Sequence, residues 1–146
     1  MSNTSSSITD ATQEFSWMLS KFVKQTPHVQ GAVAVSSDGL LMAKSPTLDR
    51  ASAEPVAAII SGMTSLGQGA AAILEQDELE RIIVGMSLGV LVIAKVSDGS
   101  SIGVVARVGA DIGAIGYQMT VLVERAGTML TPALVAELQQ QMLATA

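Results

Sequence analysis

Two short runs of this chain, Ile82-Ile83-Val84 and Val90-Leu91-Val92-Ile93-Ala94, are apolar at every position rather than at alternate ones. A strand with one wet face alternates apolar and polar side chains, so strands of this composition must be covered on both faces. The three strand-like stretches here, Arg81 to Met86, Val90 to Val96 and Ile102 to Val108, are separated only by Ser87-Leu88-Gly89 and Ser97-Asp98-Gly99-Ser100. Such connections are too short for crossover helices, which makes the strands antiparallel. A sheet of this kind needs helices in front and behind.

The remaining sequence supplies them. After Asp10, which reads as an N-cap with Gln13 three residues on, Phe15, Met18, Leu19, Phe22 and Val23 recur at helical spacing up to Pro27. Trp17 lies off that stripe and is expected to pack on a sheet rim. Val29 to Ser36 and Leu40 to Ser45, joined by the turn Ser37-Asp38-Gly39, read as a β-hairpin. Ser52 is placed to cap a second helix that tolerates Pro55 in its first turn and persists to about Leu74. Asp111 caps a third carrying Ile112, Ile115, Met119, Leu122 and Val123, and Thr131-Pro132 opens a C-terminal one through Leu134, Leu138 and Met142. The expectation is an α/β (α+β) sandwich with one five-stranded antiparallel sheet, in the order α-β-β-α-β-β-β-α plus a C-terminal helix. Residues 1–9, rich in Ser and Thr, are expected to be disordered, 10–130 to form the domain and 131–146 the terminal helix.

From Pro55 to Leu74 no residue is charged, a length that suffices to span a bilayer. Ser61, Thr64, Ser65 and Gln68, interior glycines, the lack of an aromatic belt and the acids that follow argue against a membrane span. Three faces are distinguishable. Val56, Ile59, Ile60, Met63, Leu66, Ala70, Ile73 and Leu74 form a stripe of large residues suited to lying on the sheet. Ala58, Gly62, Ser65, Gly69 and Ala72 form a second, with nothing larger than serine. An interior glycine costs a helix about 1 kcal/mol relative to alanine, so two on one face call for the close approach of another backbone, from a second copy or from a helix of the same chain. A polar third face, Ser61, Thr64 and Gln68 with Glu75, is left for solvent or a partner.

Other chemistry is excluded by inventory. With no cysteine in 146 residues, disulfides, thiolate metal sites and cysteine nucleophiles are absent, and the single histidine, His28, cannot build a zinc site or a hydrolytic dyad. No glycine precedes a lysine, so there is no Walker-type phosphate loop, and Asp111 places a negative charge where the turn Gly109 to Gly116 would need to receive a phosphate. The acids Glu75, Asp77, Glu78 and Glu80 read as a solvated connector rather than a cation site. Eight scattered basic residues, 3% aromatics and a net charge of −5 point away from nucleic acid. The expectation is a chain with no enzymatic activity, metal or cofactor. A start without a basic n-region or an apolar h-region suggests a cytoplasmic location. With 49% hydrophobic and only 14% charged residues, some apolar surface is expected to be covered by oligomerisation.

These stretches resemble the roadblock/dynein light chain family, in the form common in actinobacterial operons that also encode a Ras-like GTPase. The resemblance rests on Phe22 to Pro27 followed by Gly31 to Leu40, on Ser61-Gly62-Met63, Ser65-Leu66 and Gly69-Ala70-Ala71. It extends through Val96-Ser97-Asp98-Gly99-Ser100 and Ala110-Asp111-Ile112-Gly113 to Tyr117-Gln118-Met119, about residues 10–135. His28 departs from it, since relatives often carry glycine there. The resemblance implies a profilin-like sandwich, with the first and third helices on one face and the second on the other. It implies a homodimer in which sheets join edge to edge and second helices pack together, through Ala58, Gly62, Ser65, Gly69, Ala72 and Ile82. It also implies a role as regulator or scaffold of a small Ras-like GTPase that docks at Ser61, Thr64 and Gln68, with a sensor-kinase-like protein of the same operon as a further partner. No arginine follows Arg50 on the second helix, so no arginine finger is expected from it. The alternative is a small-molecule-sensing or generic protein-interaction module, which would need a cavity with convergent polar groups.

Overall fold

The computed structural model describes residues 2–144. Four helices and five strands follow one another among them: α1 (Ser2–Gln25), β1 (Val29–Val35), β2 (Leu41–Lys44), α2 (Arg50–Ile73), β3 (Arg81–Met86), β4 (Gly89–Lys95), β5 (Ser101–Arg107), α3 (Ile112–Met129) and α4 (Pro132–Ala144). The strands form one sheet in the order β2-β1-β5-β4-β3, with every neighbouring pair antiparallel. The glycines of the two expected turns, Gly39 and Gly99, adopt φ of +85° and +93°, and each donates its N–H back to the carbonyl just after the preceding strand, of Ser36 and Val96 respectively. A side chain would be strained in that conformation.

Both faces of the central strands are covered, as the doubly apolar β4 requires, whereas the equally apolar β3 is not: Ile83 is 51% exposed because no helix covers that face of it. On one face Phe15, Leu19 and Phe22 of α1 and Ile115, Met119 and Leu122 of α3 bury Ala32, Val92, Ile102 and Val104, and Leu134 and Leu138 of α4 close the same cluster. On the other, Ala53, Ala57 and Ile60 of α2 lie on Val33, Val35, Leu91 and Ile93. The β2 edge of the sheet is flanked by α4, whereas among the described residues no element lies beyond β3.

Three expectations give way. α1 begins at Ser2 rather than after Asp10, so the segment 1–9 is helical from Ser2 on, while Met1 lies outside the described residues. No proline or glycine interrupts this stretch, and it is pinned near its middle: Thr12 is fully buried, donates its hydroxyl to the Thr9 carbonyl at 2.7 Å and accepts from Gln141 Nε2 at 3.1 Å. Trp17 does not pack on the sheet rim; it is 55% exposed on the outer side of α1, with Lys21 Nζ 4.8 Å from its ring centroid. The cap of α2 is Asp49 rather than Ser52, whose backbone N–H donates to Asp49 Oδ1 at 2.9 Å. That bond, joined by one from the Ser52 hydroxyl, holds the Asp49 carboxyl below its ordinary value of 3.8. The expected cap Asp111 is in place, accepting from the Ala114 N–H at 3.0 Å.

Candidate functional site

α2 meets the sheet through its small residues. Ala53, Ala57, Ile60 and Ala71 are its buried positions, and Ile60 Cδ1 stands only 2.5 Å from where a Cβ on Gly103 of β5 would be. The missing side chain at Gly103 therefore lets the helix sit close to the strands. Gly67 plays the same part toward the following loop, since a Cβ there would meet Leu79 at 2.9 Å.

The stripe of large residues is accordingly sheet-facing only in part, through Val56, Ile60 and Met63. Of its members only Ile60 is fully buried, while Ile59, Leu66 and Ile73 point outward, Leu66 at 78% and Ile73 at 83% exposure. The Ala58, Gly62, Ser65, Gly69 and Ala72 stripe is exposed as well, and nothing lies within 4 Å of a Cβ built on Gly62 or Gly69. Among the described residues no helix of the same chain uses those glycines. Together the two stripes make one outward face in which Ile59, Gly62, Leu66, Gly69 and Ile73 succeed one another at spacings of three and four. That is a heptad seam alternating large residues with glycine.

The open edge of the sheet is apolar on both of its faces. Ile82 and Val84 of β3 pack half-buried against the α2 side of the sheet, so Ile82 lies beneath the helix rather than on the outer surface. Ile83 and Met86 of the same strand are more than half exposed. The exposure of Ile59, Leu66 and Ile73 differs from the sequence expectation, which assigned the large side chains of α2 inward.

Ser61, Thr64 and Gln68 do not form a flat outer surface. They line a groove of about 500 Å³ together with Ser36, Ser37, Lys95, Gly99 and Ser101. Thr64 donates to the Ser61 carbonyl at 3.0 Å. Gln68 is committed to the loop after α2, accepting from the Leu79 N–H at 3.1 Å and donating to the Asp77 carbonyl at 3.3 Å. That loop is strained. Glu75 and Asp77 adopt φ of +56° and +70°, and Glu75 occupies the left-handed position after the helix that glycine usually fills, with Gln76 N–H on the Ala71 carbonyl at 2.8 Å. His28 is a further positive-φ residue, at +68°, a conformation that glycine adopts without strain. Among the described residues no group of three or more His, Asp or Glu is placed to hold a metal ion.

A model of the Roadblock/LC7 domain matches residues 15–106. A Roadblock/LC7 domain from Streptomyces avermitilis, known from its crystal structure, is 32% identical, with 75% of this chain and 92% of that one covered and a TM-score of 0.72. MglB from Myxococcus xanthus superposes with a TM-score of 0.73 at 11% identity, covering 79% of this chain and 93% of that one. The gliding protein MglB from Thermus thermophilus does so with a TM-score of 0.68 at 12% identity, covering 90% and 92%. At those two identities the likeness is one of fold. No protein in a search of curated sequences matches.

Proposed function

Because the chain belongs to the Roadblock/LC7 domain family, we propose that it is a non-catalytic homodimeric module that binds a small Ras-like GTPase, as its regulator or scaffold, in the cytoplasm. The observation that carries this reading is the exposed seam of α2. Ile59, Leu66 and Ile73 present knobs and Gly62 and Gly69 present holes at heptad spacing, a pattern complementary to a second copy of itself. The open, apolar β3 edge beside it offers backbone pairing to the same copy. A GTPase partner is supported by the family, and the hydroxyl-lined groove at Ser61, Thr64 and Gln68 is the surface we assign to it. Short polar side chains there lose little rotamer freedom when covered, which suits a transient contact. Arg50, the only arginine of α2, is engaged with Glu54, so any effect on hydrolysis would come from positioning the GTPase's own groups.

Light scattering tests the dimer. The parent protein should show twice the chain mass at micromolar concentration, and Gly62→Leu should yield a folded monomer with unchanged circular dichroism, since a Cβ built there meets no atom of its own chain. A monodisperse parent monomer overturns the reading. Pull-down of a Ras-like GTPase encoded beside this chain, loaded in turn with GDP and a GTP analogue, tests the partner. No binding in either state removes the GTPase and leaves the dimer standing.

A further inference from the structure

The chain has one Trp and one Tyr, and both are exposed: Trp17 at 55% on α1 and Tyr117 at 69% on α3, while both phenylalanines are buried beneath α1. They stand on the side of the sheet opposite α2, beside a shallow groove of about 130 Å³ between α1 and α3. Its floor is Met18, Phe22 and Leu122, and its rim carries Lys21 and Arg125. On each helix the lining positions repeat at i, i+3, i+4 and i+7, so the groove is a furrow between two parallel ridges. No carboxylate lines it, and among the described residues neither Lys21 nor Arg125 forms an ion pair, in a chain of net charge −5. Lys21 instead rests over the Trp17 ring, which holds its charge at the rim.

We propose that the α1–α3 groove is a docking site for an acidic amphipathic helix of a partner protein. The furrow is too shallow for a metabolite but takes the row of leucine-sized side chains that one face of a helix presents. Lys21 on one ridge and Arg125 on the other then meet carboxylates flanking that row. Trp and Arg are among the residue types that most often anchor interfaces; Arg125 lines the groove and Trp17 adjoins it through Lys21. A flat anionic membrane fits less well. A broad anionic surface would also cover the exposed Asp10 and Glu14 of α1, whereas the furrow itself is lined by two cations and no carboxylate. This surface is separate from the α2 seam and does not depend on the GTPase reading.

Trp17 is the only indole and reports occupancy directly. A synthetic helix of about five turns, with leucines at i, i+3, i+4 and i+7 flanked by glutamates, should shift its emission to the blue in a saturable titration of the intact protein. Lys21→Glu with Arg125→Glu should weaken that binding at least about tenfold, as should raised salt. Lys44→Glu with Arg107→Glu, the same charge change outside the groove, should not. The proposal is overturned if the helix gives no shift, if a version with lysine for glutamate binds equally well, or if both double variants behave alike. It is also overturned if phosphatidylserine vesicles shift Trp17 and the acidic helix does not, an outcome that assigns the face to lipid.

Discussion

The two edges of the sheet are finished in opposite ways. β2 is four residues long, nearly buried, and flanked by α4, whose Leu134 and Leu138 reach into the core. Its exit loop is held at each step: Lys44 Nζ donates to the Leu48 carbonyl, Leu48 N–H to Ser45, and Asp49 caps the next helix. β3 is six residues long, with no residue fully buried, and Ile83 on it is 51% exposed. Its entry loop carries the left-handed Glu75 and Asp77, with acids at a helix C-terminus where the macrodipole disfavours them. An edge that is short, covered and relaxed serves the fold alone. One that is long, apolar, open and fed by a strained loop retains backbone groups for something outside the chain.

The largest effect that separates the edges is expected at Leu138→Ala. It removes a side chain only 2% exposed that helps α4 close over β2, and it should lower unfolding free energy by about 3 kcal/mol in a urea titration. Ile83→Asp on the other edge should do the reverse. Folding stability should stay within about 1 kcal/mol of the parent, while dimer dissociation measured by sedimentation should worsen by about 2 kcal/mol, roughly thirtyfold. If Ile83→Asp unfolds the chain as Leu138→Ala does, the contrast between the edges fails. Glu75→Gly should relieve the left-handed residue and raise stability by about 1 kcal/mol; no gain would mean that the entry loop stores no strain. The smallest effect is expected at Asp49→Asn. The depressed carboxyl stabilises the fold above its unfolded value, and this contribution is lost as pH falls through the lower folded value. Asparagine still caps, so the variant should match the parent near neutrality and lose less melting temperature on acidification.

The order of elements and the double covering of the central strands were legible because they rest on strand periodicity and on connections too short to cross over. The orientation of α2 was legible only in part. Ranking its faces by side-chain size put Leu66 and Ile73 on the sheet, yet the strand beneath carries Gly103, and a close approach selects Ala53 and Ala57 instead. The glycine that decided this lies more than forty residues downstream of those alanines, outside any helical window. The intramolecular contacts of Gln68 were not legible for a similar reason. Its partners, Asp77 and Leu79, belong to a loop whose path no local pattern encodes. The cap Asp111 was found because capping is local, whereas Asp49 was passed over for the nearby Ser52 whose backbone it captures.

The covering of β2 by α4 also fixes how far association can go. In the language of polymer chemistry, a strand edge is a reactive end group, and the described residues carry one. Two copies that add at β3 consume both groups and leave none, so growth terminates at the pair. A chain stripped of α4 would expose a second end group and become bifunctional, a monomer for open-ended sheet extension. On the proposed dimer, α4 would then act as the chain terminator that lets β3 pair without making the protein a fibre former.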